Sequence, residues 1–397
     1  MKPFVQVSAA DVPELTAALR TALDGGPAVW PVPASTGDPS PTWEVGDGVA
    51  LVIETSGSTD APKRVLLSAD ALRAGAAATE AALSGPGQWL LALPAHYIAG
   101  TQVLVRSIVA GTDPVLLDPD GAGRGFDPAA FAAASARLTH RRRYTSLVPV
   151  QLARLVEAAK TDRAVAEALR RFDRILLGGQ AAPPALIVAA DAVGARVTRT
   201  YGSSETSGGC VYDGRPLDGV RVRIDDPSTG STRSGQVLLG GPMLADGYLD
   251  DPERTAAAFT EDEHGERWYR TGDLGDLGRD GILHIRGRAD DVIVSGGVKV
   301  VLGEVERAVR HVPGLEHAIA VRTADREWGE RAAIVAARSD VAASVDLEAL
   351  AAATDAAGLS PAGRPVRLEL VDRMPLLPSG KPDRRSIEAS MRGDPAE

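Results

Sequence analysis

Residues 55–64 read TSGSTDAPKR and combine hydroxyl side chains, a glycine and a lysine within ten positions. They follow an apolar run at residues 50–53, whose length and composition predict a buried strand. Gly57 permits close approach of the backbone, the hydroxyl groups can donate hydrogen bonds to phosphate oxygens, and Lys63 supplies positive charge. We therefore predict a phosphate-binding loop at the end of a strand, with an ordinary Ser/Thr-rich turn as the alternative.

This loop is not a Walker A motif. That motif requires a glycine immediately before the lysine and a helix after it, whereas Pro62 precedes Lys63 and an apolar run follows. Only five of the 43 Lys and Arg residues are lysines, so a lysine retained in this loop invites a chemical reason.

Short apolar runs alternate with longer amphipathic runs beyond this loop, which predicts repeated β-α units. The predicted strands are residues 50–53, 89–93, 114–117, 145–148, 174–177 and 196–200. The predicted helices are residues 11–23, 69–83, 100–110, 128–138, 150–159 and 184–193. The pattern is typical of an α/β fold with mostly parallel sheets flanked by helices, and ligands then bind at the carboxyl ends of the strands.

The pattern changes at Gly219, where the long helices stop and short strands with turns predict a β-rich subdomain. The charged residues 287–291 then interrupt two apolar runs, as a hinge does. The later predicted elements are strands at 220–224, 236–239, 317–322 and 332–337 and helices at 304–312 and 346–356. We expect a large N-terminal domain at 1–287, a hinge at 288–291 and a small mobile C-terminal α+β domain at 292–397.

Composition excludes several classes of protein. A chain of 397 residues with 44% hydrophobic and 24% charged residues is long enough for two or three folded domains. The net charge of −10 argues against broad binding of nucleic acid or anionic membrane, and no apolar run approaches the ~20 residues that span a bilayer. Cys210 is the only cysteine, which excludes disulfides within the chain and Cys-rich metal sites. We expect a soluble cytoplasmic protein with a local positive site for any anionic ligand.

Four further loops carry polar side chains. In the loop at residues 200–206 the tyrosine can stack on a base, and Glu205 is a hard oxygen ligand suited to magnesium on a polyphosphate. The glycine pair within residues 176–181 either lets a flat ring lie against the backbone or makes a helix-entry turn. Asp273 follows a glycine turn and can accept hydrogen bonds from a ribose diol, while Lys381 stands on a Gly/Pro loop near the C terminus.

Taken in order, these loops resemble those of the adenylate-forming superfamily of acyl-CoA synthetases, nonribosomal peptide adenylation domains and luciferases. The resemblance covers roughly residues 53–385, and five ordered matches are far more specific than any one of them. The matches are the phosphate loop at 55–63, Tyr-Gly-x-x-Glu at 201–205, Thr-Gly-Asp at 271–273, Gly-Arg-x-Asp at 287–290 and Pro-x-Gly-Lys at 378–381. The resemblance implies an enzyme that joins a carboxylic acid to AMP from ATP and then passes the acyl group to a thiol.

The resemblance also implies a role for each matched residue. Lys381 would be the adenylation lysine, Glu205 would hold Mg²⁺, and Asp290 would be the hinge residue of a rotating small domain. Tyr201 would stack on adenine. The full set of ATP-binding residues would be Thr55, Ser56, Gly57, Ser58, Thr59, Lys63, Gly178, Gly179, Gln180, Tyr201, Gly202, Ser203, Ser204, Asp273 and Arg288. The residues lining the CoA tunnel would be Gly296, Gly297 and Lys299.

The stretch at residues 93–106, LPAHYIAGTQVLVR, is the best clue to the acid. It resembles the o-succinylbenzoate-CoA ligases of menaquinone synthesis, in which a basic residue six positions after the glycine binds the carboxylate that is not activated. Arg106 matches that residue, and an arginine on an otherwise apolar helix is costly unless something pairs with it. An exposed or salt-bridged arginine is the alternative. The implied acid-site residues are His96, Tyr97, Gly100, Thr101 and Arg106.

Three departures from the family pattern keep other functions open. Asp60 and Arg64 replace glycines of the phosphate loop, Tyr97 with His96 beside it replaces the usual histidine gate, and the part before the phosphate loop is short. The alternatives are a ligase for another aryl or acyl acid, delivering to CoA or to a carrier protein, and a degenerate nucleotide- or CoA-binding protein. The expected partners are an aryl dicarboxylate, ATP, Mg²⁺ and CoA, without nucleic acid or an integral membrane segment. A homodimer stays open.

Overall fold

The computed structural model describes residues 1–33, 44–55, 62–117, 126–226, 231–377 and 382–392. Five of the predicted site residues lie outside these ranges, namely Ser56, Gly57, Ser58, Thr59 and Lys381. The described residues fall into two compact units. The first takes those of Met1–Gly57, Ala61–Arg223 and Leu238–Arg270, and the second takes those of Ile224–Val237 and Thr271–Glu397.

Helices and strands alternate along the first half of the chain. The helices of the described residues are α1 (Val12–Leu23), α2 (Ala69–Ala82), α3 (Ile98–Ala110), α4 (Pro128–Ala136), α5 (Pro149–Ala158), α6 (Arg163–Arg171), α7 (Pro184–Ala192), α8 (Pro252–Ala258), α9 (Leu302–Val309), α10 (Asp340–Ala343), α11 (Leu347–Ala356) and α12 (Arg384–Arg392). The strands up to the middle of the chain are β1 (Lys2–Ser8), β2 (Ala28–Val32), β3 (Glu44–Val45), β4 (Val49–Thr55), β5 (Lys63–Ser68), β6 (Gln88–Leu91), β7 (Val115–Leu116), β8 (Arg143–Leu147), β9 (Arg174–Leu177), β10 (Val197–Ser203), β11 (Gly208–Tyr212) and β12 (Arg215–Pro216). The later strands are β13 (Arg221–Asp226), β14 (Ser231–Gly240), β15 (Gly247–Tyr248), β16 (Phe259–Glu261), β17 (Arg267–Leu277), β18 (Leu283–Arg288), β19 (Val292–Ser295), β20 (Val298–Val301), β21 (Ile319–Asp325), β22 (Gly329–Ala337) and β23 (Arg367–Val371).

The predicted α/β class is confirmed. The six helices predicted before Gly219 end within two residues of the observed ends, and the six strands within three. The second of the sheets in chain order has the strand order β12-β11-β10-β9-β8-β6-β7. All neighbouring pairs from β10 to β7 in this order are parallel. The carboxyl ends of these strands therefore meet at one edge, where the predicted loops begin. Buried side chains of α4 to α7, with Phe131 and Phe172 at their centre, cover one face of this sheet.

The first sheet is mixed, contrary to the expectation of mostly parallel sheets. Its order is β15-β5-β4-β2-β1-β3, and β4 pairs antiparallel with β5 from Val49 to Thr55. The reason is connection length, because only residues 56–62 join these two strands and a parallel pair needs a crossover of a dozen or more residues.

Helix α3 has apolar neighbours on almost every side. Residues from Gly100 to Ser107 are all buried, and the helix packs against α1, α2, β6 and β11. A helix that is buried all round normally carries apolar residues all round, so its polar residues need partners. The helix ends at Gly111, whose φ of 65° is the left-handed conformation that glycine adopts without strain.

The second unit contains a sheet with the order β20-β19-β22-β21, and β23 pairs with β22 in parallel. One face is covered by α9 and α11 through a cluster that includes Val305 and Leu350, and the other is covered by Ile387 and Met391 of α12. A further sheet of order β13-β14-β17-β16, with β18 on β17, contains the division between the two units. Among the described helices, none has the length and apolar character needed to cross a membrane.

Candidate active site

The two ends of the phosphate loop are held together by the β4–β5 ladder. Thr55 lies opposite Lys63, and the Thr55 hydroxyl donates to the Lys63 carbonyl at 3.5 Å. The Lys63 ammonium lies 5.5 Å from the centre of the Tyr248 ring. The ladder therefore fixes the strand from which Lys63 projects, beside an aromatic residue that comes much later in the chain.

Tyr248 connects Lys63 to Glu205. The Tyr248 hydroxyl donates to Glu205 Oε1 at 2.9 Å, and Glu205 is only 6% exposed. Burial raises the pKa of Tyr248, and the neighbouring Glu205 carboxylate raises it further, so the phenol keeps its proton and remains a donor. The turn that carries Glu205 is itself held by the Ala245 N–H, which donates to the Glu205 carbonyl at 2.9 Å.

A magnesium ion brought by a polyphosphate fits Glu205. Its Oε2 atom makes no hydrogen bond within the part of the chain that the structure describes, whereas Oε1 is taken by Tyr248. Those described residues contain no group of three His, Cys, Asp or Glu side chains that could hold a metal by themselves. One carboxylate with phosphate oxygens is the kind of ligand set that Mg²⁺ uses in nucleotide sites.

The predicted adenine site is assembled at the ends of two neighbouring strands. Gly178 follows β9 and Tyr201 lies in β10, and a Cβ atom at Gly178 would stand 2.5 Å from Thr200 Oγ1. At Gly202 a Cβ atom would stand 2.1 Å from the Gly208 carbonyl oxygen, so only glycine permits this approach of β10 to β11. The structure thus brings the glycine pair and the tyrosine loop to one sheet edge, together with Gly179, Gln180, Ser203 and Ser204.

The entry to α3 carries the acid-site residues predicted before Arg106. The Thr101 hydroxyl donates to the Ala95 carbonyl at 2.6 Å, and a Cβ atom at Gly100 would stand 2.2 Å from the Pro94 oxygen. The rings of His96 and Tyr97 have centroids 4.1 Å apart. Burial lowers the pKa of His96, and it raises the pKa of Tyr97, so both side chains favour their neutral forms.

Arg106 is buried on α3 without a carboxylate. It is 6% exposed, and its Nε atom has no hydrogen-bond partner in the ranges that the structure describes. No carboxylate among the described residues pairs with it, and its guanidinium carbon lies 5.1 Å from the centre of the Trp89 ring. Burial lowers the pKa of Arg106, although an arginine remains charged at neutral pH. The alternative of an exposed arginine is therefore wrong, the described residues offer no salt bridge, and the position is suited to an anionic group of a ligand.

The predicted ribose and hinge residues lie together in the second unit. Asp273 and Arg288 are opposite each other in the β17–β18 ladder, with Asp273 Oδ1 3.3 Å from Arg288 Nη1. The Arg288 Nε atom is 3.1 Å from Asp290 Oδ1, so one guanidinium contacts both carboxylates. The carbonyl of Asp290 accepts from Arg322 at 2.6 Å.

The predicted CoA residues form the turn of a hairpin in the second unit. Gly296 and Gly297 join β19 to β20 with φ angles of 55° and 83°, a pair of left-handed residues that suits a two-residue hairpin. A Cβ atom at Gly296 would stand 2.7 Å from the Trp328 ring. Lys299 is exposed on β20, opposite Val294.

Matches with known proteins agree with this arrangement. Residues 5–249 match the family model described as "AMP-binding enzyme". The chain belongs to this family. The resemblance inferred from the five motifs is therefore confirmed.

Individual AMP-binding relatives resemble the chain over most of its length. A protein of Mycobacterium tuberculosis H37Rv named probable 2-succinylbenzoate–CoA ligase is 42% identical over 353 residues, which are 88% of this chain and 87% of that protein. The o-succinylbenzoate CoA synthetase of Bacillus subtilis, solved with its acyl-adenylate intermediate, aligns with a TM-score of 0.74 at 22% identity, over 97% of this chain and 83% of that one. ATP-bound MatB of Rhodopseudomonas palustris aligns with a TM-score of 0.80 at 21% identity, over 99% and 90%. The two structural likenesses establish the fold.

Three residues of the site were missed by the sequence interpretation. Tyr248 gives no signal, because its partner Glu205 is 43 positions away and no periodicity links them. Trp89 was placed in a strand without a ligand role. Gln102 could have been found, because it is a polar residue on an apolar helix four positions before Arg106, the same kind of signal that singled out Arg106.

Proposed function

We propose that this chain is an ATP-dependent acid-CoA ligase that adenylates o-succinylbenzoate and transfers the acyl group to CoA. The observation that carries the proposal is the buried Arg106, which lies on the helix behind the acid-site residues and pairs with no carboxylate in the described part of the chain. A dianionic aryl acid supplies that partner through its second carboxylate. A fatty acid or benzoate has no second carboxylate and would leave the buried charge unpaired, which is costly.

The relatives support the same acid. The mycobacterial protein that shares 42% identity with the chain is named for 2-succinylbenzoate. Arg106 is present here at the position that the sequence resemblance assigns to the second carboxylate. Family, relative and buried charge thus support one substrate.

The first half-reaction joins the acid to AMP. A carboxylate oxygen of the acid attacks the α-phosphorus of ATP, the bond to the bridging oxygen breaks, and pyrophosphate leaves. Lys63 would hold phosphate oxygens, and Tyr248 keeps Glu205 oriented by its hydrogen bond. Mg²⁺ held by Glu205 would neutralise charge on the phosphates. Arg106 would fix the far end of the acid, which limits the orientations of the reacting carboxylate.

The second half-reaction passes the acyl group to CoA. The thiol sulfur attacks the carbonyl carbon of acyl-AMP, AMP leaves, and the thiol proton goes to solvent. The proposal includes a small domain at residues 292–397 that turns about Asp290, withdraws Lys381 and brings Gly296, Gly297 and Lys299 to the thiol. Lys381→Ala should abolish formation of acyl-AMP but leave the conversion of supplied acyl-AMP to acyl-CoA largely intact, and equal loss of both steps contradicts the rotation.

A panel of acids tests the substrate. Pyrophosphate release is measured with o-succinylbenzoate, benzoate, a medium-chain fatty acid and a long-chain fatty acid, and the acyl-AMP and acyl-CoA products are identified by mass spectrometry. We expect kcat/KM to be at least about 100-fold higher for o-succinylbenzoate than for the other acids, because only this acid forms a buried charge pair with Arg106. Equal rates with benzoate or a fatty acid would defeat the proposed substrate. Absence of acyl-AMP with every acid would instead favour a nucleotide- or CoA-binding protein without catalysis.

We also propose that the ligase acts in the cytoplasm and that it forms a homodimer. The first rests on its soluble substrates, ATP and CoA, and the second on the family resemblance alone. Light scattering after size exclusion checks the second, and a mass of 41.2 kDa, that of one chain, would contradict it.

A further inference from the structure

Gln102 is a buried amide without partners. It is 1% exposed, and neither its Nε2 nor its Oε1 atom makes a hydrogen bond with the described residues. Almost all buried polar groups in folded proteins are hydrogen-bonded, and an unpaired one costs stability. A side chain that carries both a donor and an acceptor in this state therefore needs an explanation.

The surroundings of Gln102 place it on a line with Arg106. A Cβ atom at Gly75 of α2 would stand 3.8 Å from Gln102 Nε2, and one at Gly208 of β11 would stand 3.4 Å from Gln102 Cγ. Gln102 is therefore bordered by two residues without side chains. Gln102 and Arg106 are four positions apart on α3, so they share one face with a rise of about 6 Å between them.

Helices α2 and α3 and strand β11 contact one another, and polar residues follow the two glycines on α2 and β11. Arg106 lies near Tyr212, which is four residues after Gly208 on β11. The Tyr212 hydroxyl shares a hydrogen bond of 3.0 Å with Thr79, which is four residues after Gly75 on α2. The two glycines thus border the Gln102 amide, whereas Arg106 lies near the hydrogen-bonded pair of Tyr212 and Thr79.

A third unpartnered group lies beside the amide level. The Ser203 hydroxyl is buried and has no hydrogen-bond partner among the described residues, and Ser203 is opposite Gly208 in the β10–β11 ladder. The unpaired polar groups Ser203, Gln102 and Arg106 therefore follow one another from the tyrosine loop into the protein. Their order is the order in which an extended acid would meet them if its reacting carboxylate lay at the tyrosine loop.

We propose that Gln102 is a specificity-determining residue, whose amide N–H donates to a ketone oxygen in the acid. This rests on the proposed function. In 2-succinylbenzoate the ketone is bonded to the ring carbon next to the one that bears the aromatic carboxylate, so the two groups are neighbours. Gln102 and Arg106 are neighbours on one helix face, so one can bind the ketone while the other binds the carboxylate. The acid selected is an aryl ketone with an ortho carboxylate.

Gln102→Leu tests this role with two measurements. The first is the ratio of kcat/KM for o-succinylbenzoate to that for 4-(2-carboxyphenyl)butanoate, in which the ketone is replaced by CH₂. We expect a wild-type ratio of about 100 or more, because a site built to hydrogen-bond a substrate group discriminates against an analogue without it. The variant should lower the ratio below about 5 by losing activity with the ketone acid, while the KM for ATP is unchanged.

The second measurement is the thermal midpoint without ligands. Because leucine has about the volume of glutamine and no polar atoms, the variant should melt above the wild type if the amide is unpaired in the free protein. Ser107→Ala is the matched control, since Ser107 is buried on the same helix but its hydroxyl is satisfied by the Val103 carbonyl at 2.9 Å. The control should melt lower and keep the wild-type ratio of the two acids.

The outcomes separate this inference from the proposed function. A wild type that makes no acyl-AMP from o-succinylbenzoate defeats the proposed function and this inference with it. An active wild type whose ratio is unchanged in Gln102→Leu defeats this inference alone. Gln102→Glu, which cannot donate and repels a ketone oxygen, should lose the ketone acid at least as strongly. Failure of both variants to fold would make Gln102 a structural residue and overturn its role in specificity.

Discussion

Arg106 in the first unit and the arginines around Glu306 in the second unit differ in whether a carboxylate pairs with them. In the first unit Arg106 lies on α3 with its Nε unpaired and with no carboxylate among the described residues. In the second unit the buried Glu306 of α9 forms an ion pair with Arg310, with 2.7 Å between Oε1 and Nη2, and it accepts a hydrogen bond from Arg384 Nη2 at 2.5 Å. The Ala320 N–H donates to the same carboxylate at 3.2 Å.

The difference shows which charges serve the fold and which serve a ligand. The network around Glu306 is complete without any other molecule, and Arg384 continues it toward Asp291 at 3.8 Å. It joins α12, three residues after Lys381, to the strand β21 and to the neighbour of the proposed hinge residue. Around Arg106 no described residue supplies a carboxylate, so the protein carries the cost of a buried charge until an anion arrives.

Removing Arg106 should have the largest effect. In Arg106→Met we expect kcat/KM for o-succinylbenzoate to fall about 1000-fold, because the second carboxylate would be buried without its partner. The thermal midpoint of the free protein should not fall, because an unpaired charge has been replaced by an apolar side chain. Arg163→Met, at an exposed position of α6, is the control for loss of a positive charge. A lower thermal midpoint of Arg106→Met with unchanged kcat/KM would mean that Arg106 has a structural role, as the arginines around Glu306 do.

Breaking the network in the second unit should act on stability instead. Glu306→Gln leaves Arg310 and Arg384 without their carboxylate, and the free energy of unfolding should fall by about 3 kcal/mol. Urea unfolding followed by circular dichroism measures this. Asp355→Asn is the control, since its pair with Arg364 is bidentate but exposed, and its effect should be far smaller. Equal effects of the two variants would contradict the view that Glu306 holds the unit together.

Tyr248→Phe should have a smaller effect that is confined to activity. The change removes the donor to Glu205, and a hydrogen bond to a charged group contributes about 1.5–3 kcal/mol. We expect a fall of about 10-fold in acyl-AMP formation and a higher Mg²⁺ concentration for half-maximal rate. Tyr144→Phe is the control, because the buried Tyr144 hydroxyl donates to the Leu83 carbonyl at 2.7 Å in a helix-covered region. An unchanged Mg²⁺ dependence in Tyr248→Phe would exclude Glu205 as the group that Tyr248 orients for the metal.

The fold was predictable where one period dominates the sequence. The β-α alternation from β4 to β10 predicted five strands of the second sheet and most of the helices beside them, but it missed α6, β11 and β12. Strand β2 was missed, because it contains Pro31 and further prolines follow, which is not a strand pattern. In the structure Pro31 lies opposite Val7 of β1, and the pairing of β2 with β4 is confined to Val29 and Leu51.

The site was predictable where a residue conflicts with its local pattern. Arg106 conflicts with an apolar helix, and a lysine in an arginine-rich chain stands out in the same way. Tyr248 does not depart from the residue pattern around it in the sequence. It contacts Glu205 from β15, a strand that pairs with the distant β5. Long-range pairing of this kind depends on the register of the sheets, which a single sequence does not specify.

The smallest predicted effect concerns His96, which tests whether the acid-site entry is as desolvated as its neighbour α3. Burial lowers the pKa of His96 below the usual 6.5, so the folded protein binds its proton less readily than the unfolded chain. The stability tied to His96 is therefore present above pH 6.5 and is lost as the pH falls toward the folded pKa. An NMR titration of the imidazole measures the pKa, and His96→Gln should flatten this part of the stability profile. A titration midpoint at or above 6.5 would show that the entry is open to water, unlike the surroundings of Arg106.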